Sequence, residues 1–319
     1  MKKRVGVLMG GPSCERDISI RSGKAVCHAL ENKGMEVVPI ELAASSSVNG
    51  YEKLVKKKLS SSDIEVAFIA LHGKFGEDGE IQKILEDMKI PYTGSRSDAS
   101  RLGMDKISSK DIFESNNIPM PPYRVVLRSQ RTLLDHPSSD DNVTLYFREL
   151  GSPLAIKPSN EGSSIGLSIV AGLEDFYRAI KSAYRFSERV IVEQYVRGRE
   201  ITVGILEDKP LPSVEIIPSR RFFDFKAKYE KGSTEYMVPA KISKEQDEEC
   251  RKIALLAHRA LGAHFFSRVD MILTEEGAPL VLEVNTIPGL TEMSLLPKAA
   301  QAAGIDFNQL VFKILESAL

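Results

Sequence analysis

The sequence predicts an α/β protein whose first third is a parallel sheet wrapped by helices. Apolar runs alternate with helical stretches from the N-terminus, which is the βαβ pattern. Polar, glycine-bearing loops follow the first and third runs. The last third carries a β-hairpin with a polar face, so the whole chain is α+β in character.

The elements follow in order. Arg4 to Met9 is an apolar strand, residues 10–16 a loop, and Ser19 to Lys33 a helix. Glu36 to Leu42 and Ile64 to Leu71 are the next strands, and Glu80 to Met88 the next helix. Parallel sheets place ligand loops at the C-terminal ends of their strands, here around Glu15 and His72. The Ser- and Lys-rich stretch 43–63 carries Lys56 to Lys58 as a solvated helix face. A boundary falls near Ser95 to Arg101. Met104 to Asn116 is a helix carrying Lys106, broken by the prolines at 119, 121 and 122. Residues 128–142 read as a polar surface loop. Strands are expected at Pro153 to Pro158, Val190 to Val196 and Arg199 to Leu206, and a long loop at 220–239. Lys244 to Leu261 is an amphipathic helix with Ser243 as its N-cap. A last helix runs from Ser294 to Ala303, with Pro297 in its first turn.

Bulk properties exclude several classes. The chain has 319 residues, 42% hydrophobic and 27% charged, with a formal net charge of −1. That is a soluble globular composition with no electrostatic case for nucleic acid or anionic membrane. No stretch approaches the ~20 apolar residues of a membrane span. The opening MKKRVGVLMGG is too short in its apolar run for a signal peptide and breaks at Gly10-Gly11-Pro12. Three cysteines without metal-type spacing suit a reduced, cytoplasmic protein. Cys14 has no evident base beside it and reads as a small filler residue.

The hairpin carries the chemistry. Val269 to Leu273 and Pro279 to Val284 flank the turn Thr274-Glu275-Glu276-Gly277. Side chains two apart share a strand face, so Arg268 with Asp270, and Glu283 with Asn285, point to one side each. If the strands pair, two carboxylates, an amide and a guanidinium converge. Such oxygen donors suit Mg²⁺ held together with substrate phosphates. A surface hairpin with a wet polar face is the plain alternative. The loop Ser159 to Gly166, SNEGSSIG, follows Lys157 and has two readings: exposed N–H groups that cradle phosphate, or a tight turn between strands. It is not a Walker loop, because no G-K-[ST] follows.

These pieces, in this order, resemble the D-alanine–D-alanine ligases of the ATP-grasp superfamily. The resemblance rests on GGPSCERDIS at 10–19, LHGKFGEDGEIQ at 71–82, IPYTGS at 90–95, MDK at 104–106, IKPSNEGSSIG at 156–166, EQYVRGRE at 193–200, FDFKAKY at 223–229, and RVDMI with LEVNTIPGLTEMSLLP in the last third. It covers nearly the whole chain. It implies an N-terminal α/β substrate-binding domain (1–98), then a two-subdomain ATP-grasp fold: a central subdomain (99–192) and a C-terminal one with the metal site (193–319).

The resemblance implies ligation of two D-alanines through an acyl phosphate, with ATP and two Mg²⁺ or Mn²⁺ ions, in peptidoglycan synthesis. Asp270, Glu283 and Asn285 become the metal ligands, Glu283 bridging. Lys106 and Lys157 bind phosphate oxygens under the loop of Glu161, Gly162, Ser163 and Ser164. Glu193, Gln194, Tyr195 and Val196 meet the adenine edge, with a backbone N–H and C=O doing much of the reading. Glu200 takes the ribose hydroxyls. Glu15 receives the first D-alanine's ammonium, and Ser163 and Tyr229 link to it. Arg268 and the N–H of Gly289 stabilise the oxyanion. Lys228 lies near the transferring phosphate or second carboxylate. Ser294 and the N–H of Leu295 bind the second D-alanine's carboxylate. His72 either steers a substrate carboxylate or is a structural hydrogen bonder. A homodimer is the family expectation.

Departures are modest. Tyr195 stands where Trp is frequent, Phe223 and Phe225 where Tyr is, and stretches 43–63 and 128–142 look long. D-lactate or D-serine as acceptor is the nearest rival, and Tyr229 after Lys228 favours an amino acceptor. A non-catalytic nucleotide-binding module would lack a metal carboxylate or a phosphate lysine, and none is missing here.

Overall fold

The computed structural model describes residues 3–44, 48–130, 141–218 and 234–319. Lys228 and Tyr229 lie outside the described residues, as do Phe223, Phe225 and most of the polar stretch 128–142.

The first sheet is parallel, in the order β2-β1-β3, built from β1 (Arg4–Gly10), β2 (Glu36–Leu42) and β3 (Val66–Ile69). The unbroken apolar run of β1 reflects burial on both faces. One face packs on α1 (Arg16–Asn32) and the other on α2 (Val48–Ser61) and α3 (Glu80–Asp87). Pro39 is tolerated because β2 is an edge strand. The third strand is shorter than the sequence suggests. Its apolar run continues into Ala70 and Leu71, which are buried in the loop leading to His72.

Helices α4 (Ser97–Met104) and α5 (Lys106–Ser115) follow. A boundary and one helix from Met104 were expected here. Instead the chain is helical from Ser97 and breaks at Asp105, whose side chain accepts the Ile107 N–H as N-cap of α5. Lys106 is thereby fixed at the first helical position.

A four-stranded antiparallel sheet comes next, ordered β4-β7-β5-β6: β4 (Tyr123–Leu127), β5 (Leu154–Pro158), β6 (Ser168–Val170) and β7 (Arg189–Gln194). Helices α6 (Asp141–Leu150) and α7 (Leu173–Ala183) cover its outer face through Val143, Phe176, Ala179, Ile180 and Ala183.

The third sheet has the order β11-β10-β8-β12-β13, with β9 (Lys209–Pro210) paired to β8 (Gly198–Leu206). Its other strands are β10 (Val214–Pro218), β11 (Thr234–Met237), β12 (Phe266–Thr274) and β13 (Pro279–Asn285). β11 lies inside the span expected to be loop; it is short and pairs only at the sheet edge, so it leaves little periodic signal. Helix α8 (Lys244–Ala260), with Ser243 and Gln246 in a capping box, covers one face together with α5. Helices α9 (Leu295–Ala302) and α10 (Phe307–Glu316) return to α1, so the first sheet and the C-terminal segment share one core. Among the described residues, no helix is long and apolar enough to cross a membrane.

Candidate active site

The second and third sheets face each other across an open cleft with a cavity of about 200 Å³ between them. Ala155, Leu167 and Ile169 line one wall; Ile201, Met271 and Leu282 line the other. Flat apolar walls suit a planar base. Lys106, Lys157, Glu161, Asp270 and Glu283 line the same cleft.

Antiparallel pairing of β12 with β13 sets Arg268 opposite Asn285 and Asp270 opposite Glu283, with an irregularity just after Asp270. Arg268, Asp270, Glu283 and Asn285 therefore occupy neighbouring register positions of one strand pair. Arg268 donates from Nε and Nη2 to the two oxygens of Asp270, at 2.9 and 2.7 Å. Asn285 Nδ2 donates to Asp270 Oδ2 at 3.0 Å, and Thr202 Oγ1 to Oδ1 at 2.6 Å. Lys106 Nζ lies 3.2 Å from Glu283 Oε2 and donates to the Glu161 carbonyl at 2.7 Å. Among the described residues no cluster of three or more His, Cys, Asp or Glu side chains gathers as a metal site. An ion here would draw on Asp270, Glu283, the Asn285 amide and substrate oxygens. The donor set fits a hard divalent cation, and Glu283 already takes a cation, the Lys106 ammonium.

Lys157 points to Glu193 instead of open solvent, Nζ to Oε2 2.5 Å. Sequence reasoning missed the partner on the other oxygen. Lys110 of α5 lies 2.5 Å from Oε1. A lysine on an amphipathic helix ordinarily reads as solvated, and its spacing holds no signal of burial. Burial alone would raise the Glu193 carboxyl, but Lys157 and Lys110 outweigh it and hold it below its ordinary value.

Beyond Glu193, the amides of Gln194 and Tyr195 donate to the carbonyls of Pro122 and Pro153. They are therefore committed to the protein, and Val196 is the next linker residue along the cleft wall. Glu200 lines the cleft from β8, paired in register with Ile216 and Ile272.

At the other end, the Ser163 hydroxyl donates to Glu15. Both are buried although both sit on loops. Ser163 and Ser164 hold positive φ of 51° and 58°, which curls the loop toward Glu15. A side chain at Gly73 would strike Ser13 and Glu15, with Glu15 Oε2 only 2.6 Å from its first carbon, so glycine keeps this end open. Burial raises the Glu161 carboxyl, with Lys106 and Lys74 opposing. His72 is buried, with Nε2 3.0 Å from Ser22 Oγ and Nδ1 3.4 Å from Glu77. Both ring nitrogens are thus engaged within the protein. Burial also raises the Glu77 carboxyl, against the His72 hydrogen bond. Ser22 Oγ in turn accepts the Leu290 N–H at 3.4 Å, tying His72 to the segment that carries Gly289.

Ser294 precedes α9 but does not cap it. Its hydroxyl is held by Thr291, accepting the N–H at 3.1 Å and lying 2.9 Å from Oγ1. The N-terminal N–H groups of α9, beginning with Leu295, are left without a side-chain cap, an arrangement suited to an anion. Gly289 packs here; a side chain would come within 3.0 Å of Ser294 Oγ.

Two antiparallel sheets clasping a lysine- and carboxylate-lined cleft, preceded by a parallel N-terminal sheet, define an ATP-grasp enzyme. The chain belongs to the D-alanine–D-alanine ligase family. Residues 4–58 and 43–95 match the D-ala D-ala ligase N-terminus and residues 112–316 the D-ala D-ala ligase C-terminus. It is 44% identical to a D-alanine–D-alanine ligase of Geotalea uraniireducens over 99% of this chain and 96% of that one. The D-alanine–D-alanine ligase of Bacillus anthracis superimposes with a TM-score of 0.83 at 36% identity, over 99% and 97% of the two chains. The VanG D-Ala:D-Ser ligase of Enterococcus faecalis gives 0.84 at 28% identity, over 100% of both.

Proposed function

We propose that this chain joins two D-alanine molecules into D-alanyl-D-alanine at the expense of ATP, for peptidoglycan synthesis. The carrying observation is the Ser163–Glu15 hydrogen bond. It supports the reading by tying the loop beside the nucleotide cleft to the anion proposed for the amino acid.

In this reading the three segments divide the work: residues 1–98 hold the first D-alanine, and 99–192 and 193–319 clasp ATP. Glu15 holds the first substrate's ammonium, turning its carboxylate toward the ATP γ-phosphate. Lys106 and Lys157 fix phosphate oxygens. Asp270, Glu283 and Asn285 would hold two Mg²⁺ or Mn²⁺ ions. When bound, these supply charge neutralisation for the transferring phosphoryl group. Arg268, carried opposite Asn285, faces the carbonyl oxygen with the Gly289 N–H as its negative charge grows. Ser294 and the Leu295 N–H hold the second D-alanine's carboxylate, leaving its amine to attack the acyl phosphate. A carbon–nitrogen bond forms and inorganic phosphate leaves with its electron pair. The loop at 159–166 excludes the water that would hydrolyse the acyl phosphate. A homodimer in the cytoplasm completes the proposal.

Steady-state ADP release with ATP and D-alanine, D-serine or D-lactate in turn tests this. D-alanine alone should support rapid turnover and yield the dipeptide. Equal turnover with D-lactate, or ADP release indifferent to D-alanine, would overturn it. The full-length D-alanine–D-alanine ligase relatives at 44% and 42% identity favour D-alanine over D-serine.

A further inference from the structure

Lys110 is the least expected charge in the molecule. Its side chain is 1% exposed, on α5, and it does not line the cleft. Its ammonium sits on Glu193 Oε1 and 4.8 Å from the centre of the Tyr123 ring. Lysines are almost never fully buried unless paired, and a methionine would fill the same space without the desolvation. The charge is therefore there for Glu193.

Glu193 carries a second ammonium, Lys157, at 2.5 Å from Oε2. Lys157 differs from Lys110 because it lines the cleft beside Lys106. It can reach a ligand; Lys110 cannot. We infer that Lys110 is a positioning residue, the permanent counter-ion of Glu193. It lets Lys157 leave that carboxylate for nucleotide phosphate, while an exocyclic amino group of the base takes the vacated Oε2. This rests on the nucleotide reading of the cleft given above.

Two consequences follow from the chemistry. A buried carboxylate deprived of both cations would be strongly disfavoured, so without Lys110 the Lys157 ammonium is pinned in place. An ionised carboxylate only accepts hydrogen bonds, so it welcomes an amino group and repels a carbonyl. Adenine carries the amino group at that edge and guanine the carbonyl. Lys157 and Lys110 hold the Glu193 carboxyl below its ordinary value, while burial pulls the Lys110 ammonium down and Glu193 opposes that pull.

The test is steady-state ADP release with saturating D-alanine, varying ATP or GTP, for the parent enzyme, Lys110→Met, Glu193→Gln and the double variant. Lys110→Met should raise KM for ATP at least about tenfold, with a smaller loss in kcat. Adding Glu193→Gln should lower that KM again, since a neutral amide needs no counter-ion, while the preference for ATP over GTP collapses. Two outcomes overturn the inference: Lys110→Met with a KM for ATP within about twofold of the parent, or a double variant no better than Lys110→Met alone. If Lys110→Met does not fold, the double variant is compared with Glu193→Gln. A KM within about threefold supports the inference, and a loss beyond that overturns it. A parent that releases no ADP with ATP and D-alanine would sink the functional reading instead, which keeps the two failures distinct.

Discussion

Asp270 and Glu283 are register partners across β12 and β13, and each is held by a different cation: Arg268 on the first, Lys106 on the second. The pairing puts two carboxylates on one face, each beside a cation of its own. It also means that the cations are already arranged around the place where phosphate charge would enter.

Glu283→Gln keeps the shape and removes the charge. D-alanine-dependent ADP release should fall more than about a hundredfold, because a carboxylate that would hold divalent ions against the phosphates is gone. The thermal midpoint should stay within about 2 °C of the parent, since glutamine fills the same space and its amide oxygen still accepts from Lys106. Near-normal turnover in the variant would refute the metal assignment.

Ser163→Ala removes the bond to Glu15. A hydrogen bond to a charged group contributes roughly 1.5–3 kcal/mol, so kcat/KM for D-alanine should drop about tenfold to a hundredfold. More ADP should also be released per dipeptide formed, because the loop closes less well against water. An unchanged ratio of ADP to dipeptide, with unchanged kcat/KM, would show that the contact does not close the site.

The hairpin and its polar face were legible in the sequence because period-two alternation and a glycine turn act locally; the Thr274–Gly277 turn forms with Gly277 at φ 84°. Ser243 as N-cap was legible for the same reason. The helix Ser97–Met104 was not. Its sequence SDASRLGM is polar with an internal glycine, and only Ala99 and Ser100 are buried. Helices α7 and α10 did carry usable signals: apolar residues at 176, 179, 180 and 183 in the first, and an Asp306–Gln309 capping box in the second. Lys110 left no trace at all. Its meaning lies in Glu193, which only the packing of α5 against the second sheet brings to it.

Ser243→Ala should cost about 1 kcal/mol by breaking the capping box of α8. In a chain of this size that is a fall of about 2–4 °C in the thermal midpoint. Ser243 does not line the cleft, so turnover per folded molecule should be unchanged. A variant as stable as the parent would mean that water or Glu245, whose carboxylate accepts from the same hydroxyl, replaces the cap.

His258 makes stability depend on pH. It is buried on α8, with Nδ1 2.7 Å from Ser267 Oγ and Nε2 3.0 Å from Asp208. Burial lowers the His258 pKa, with Asp208 opposing. The neutral ring satisfies both partners: Nε2–H donates to Asp208, and Nδ1 accepts from Ser267. Because the folded pKa lies below the unfolded value of about 6.5, the unfolded chain binds the extra proton first. Stability then rises with pH through that window and is lost as pH falls below about 6.5. The Asp208 carboxyl behaves differently. Burial would raise it, but His258 and the Phe265 N–H hold it below its ordinary value. Its contribution persists well below that window and goes only in strong acid. Chemical denaturation at pH 7.5 and pH 5.5 should therefore show a loss on the order of 1 kcal/mol at the lower pH. His258→Gln should be less stable at pH 7.5 and should flatten the dependence. An equally steep fall in the variant would place the responsible proton on another group.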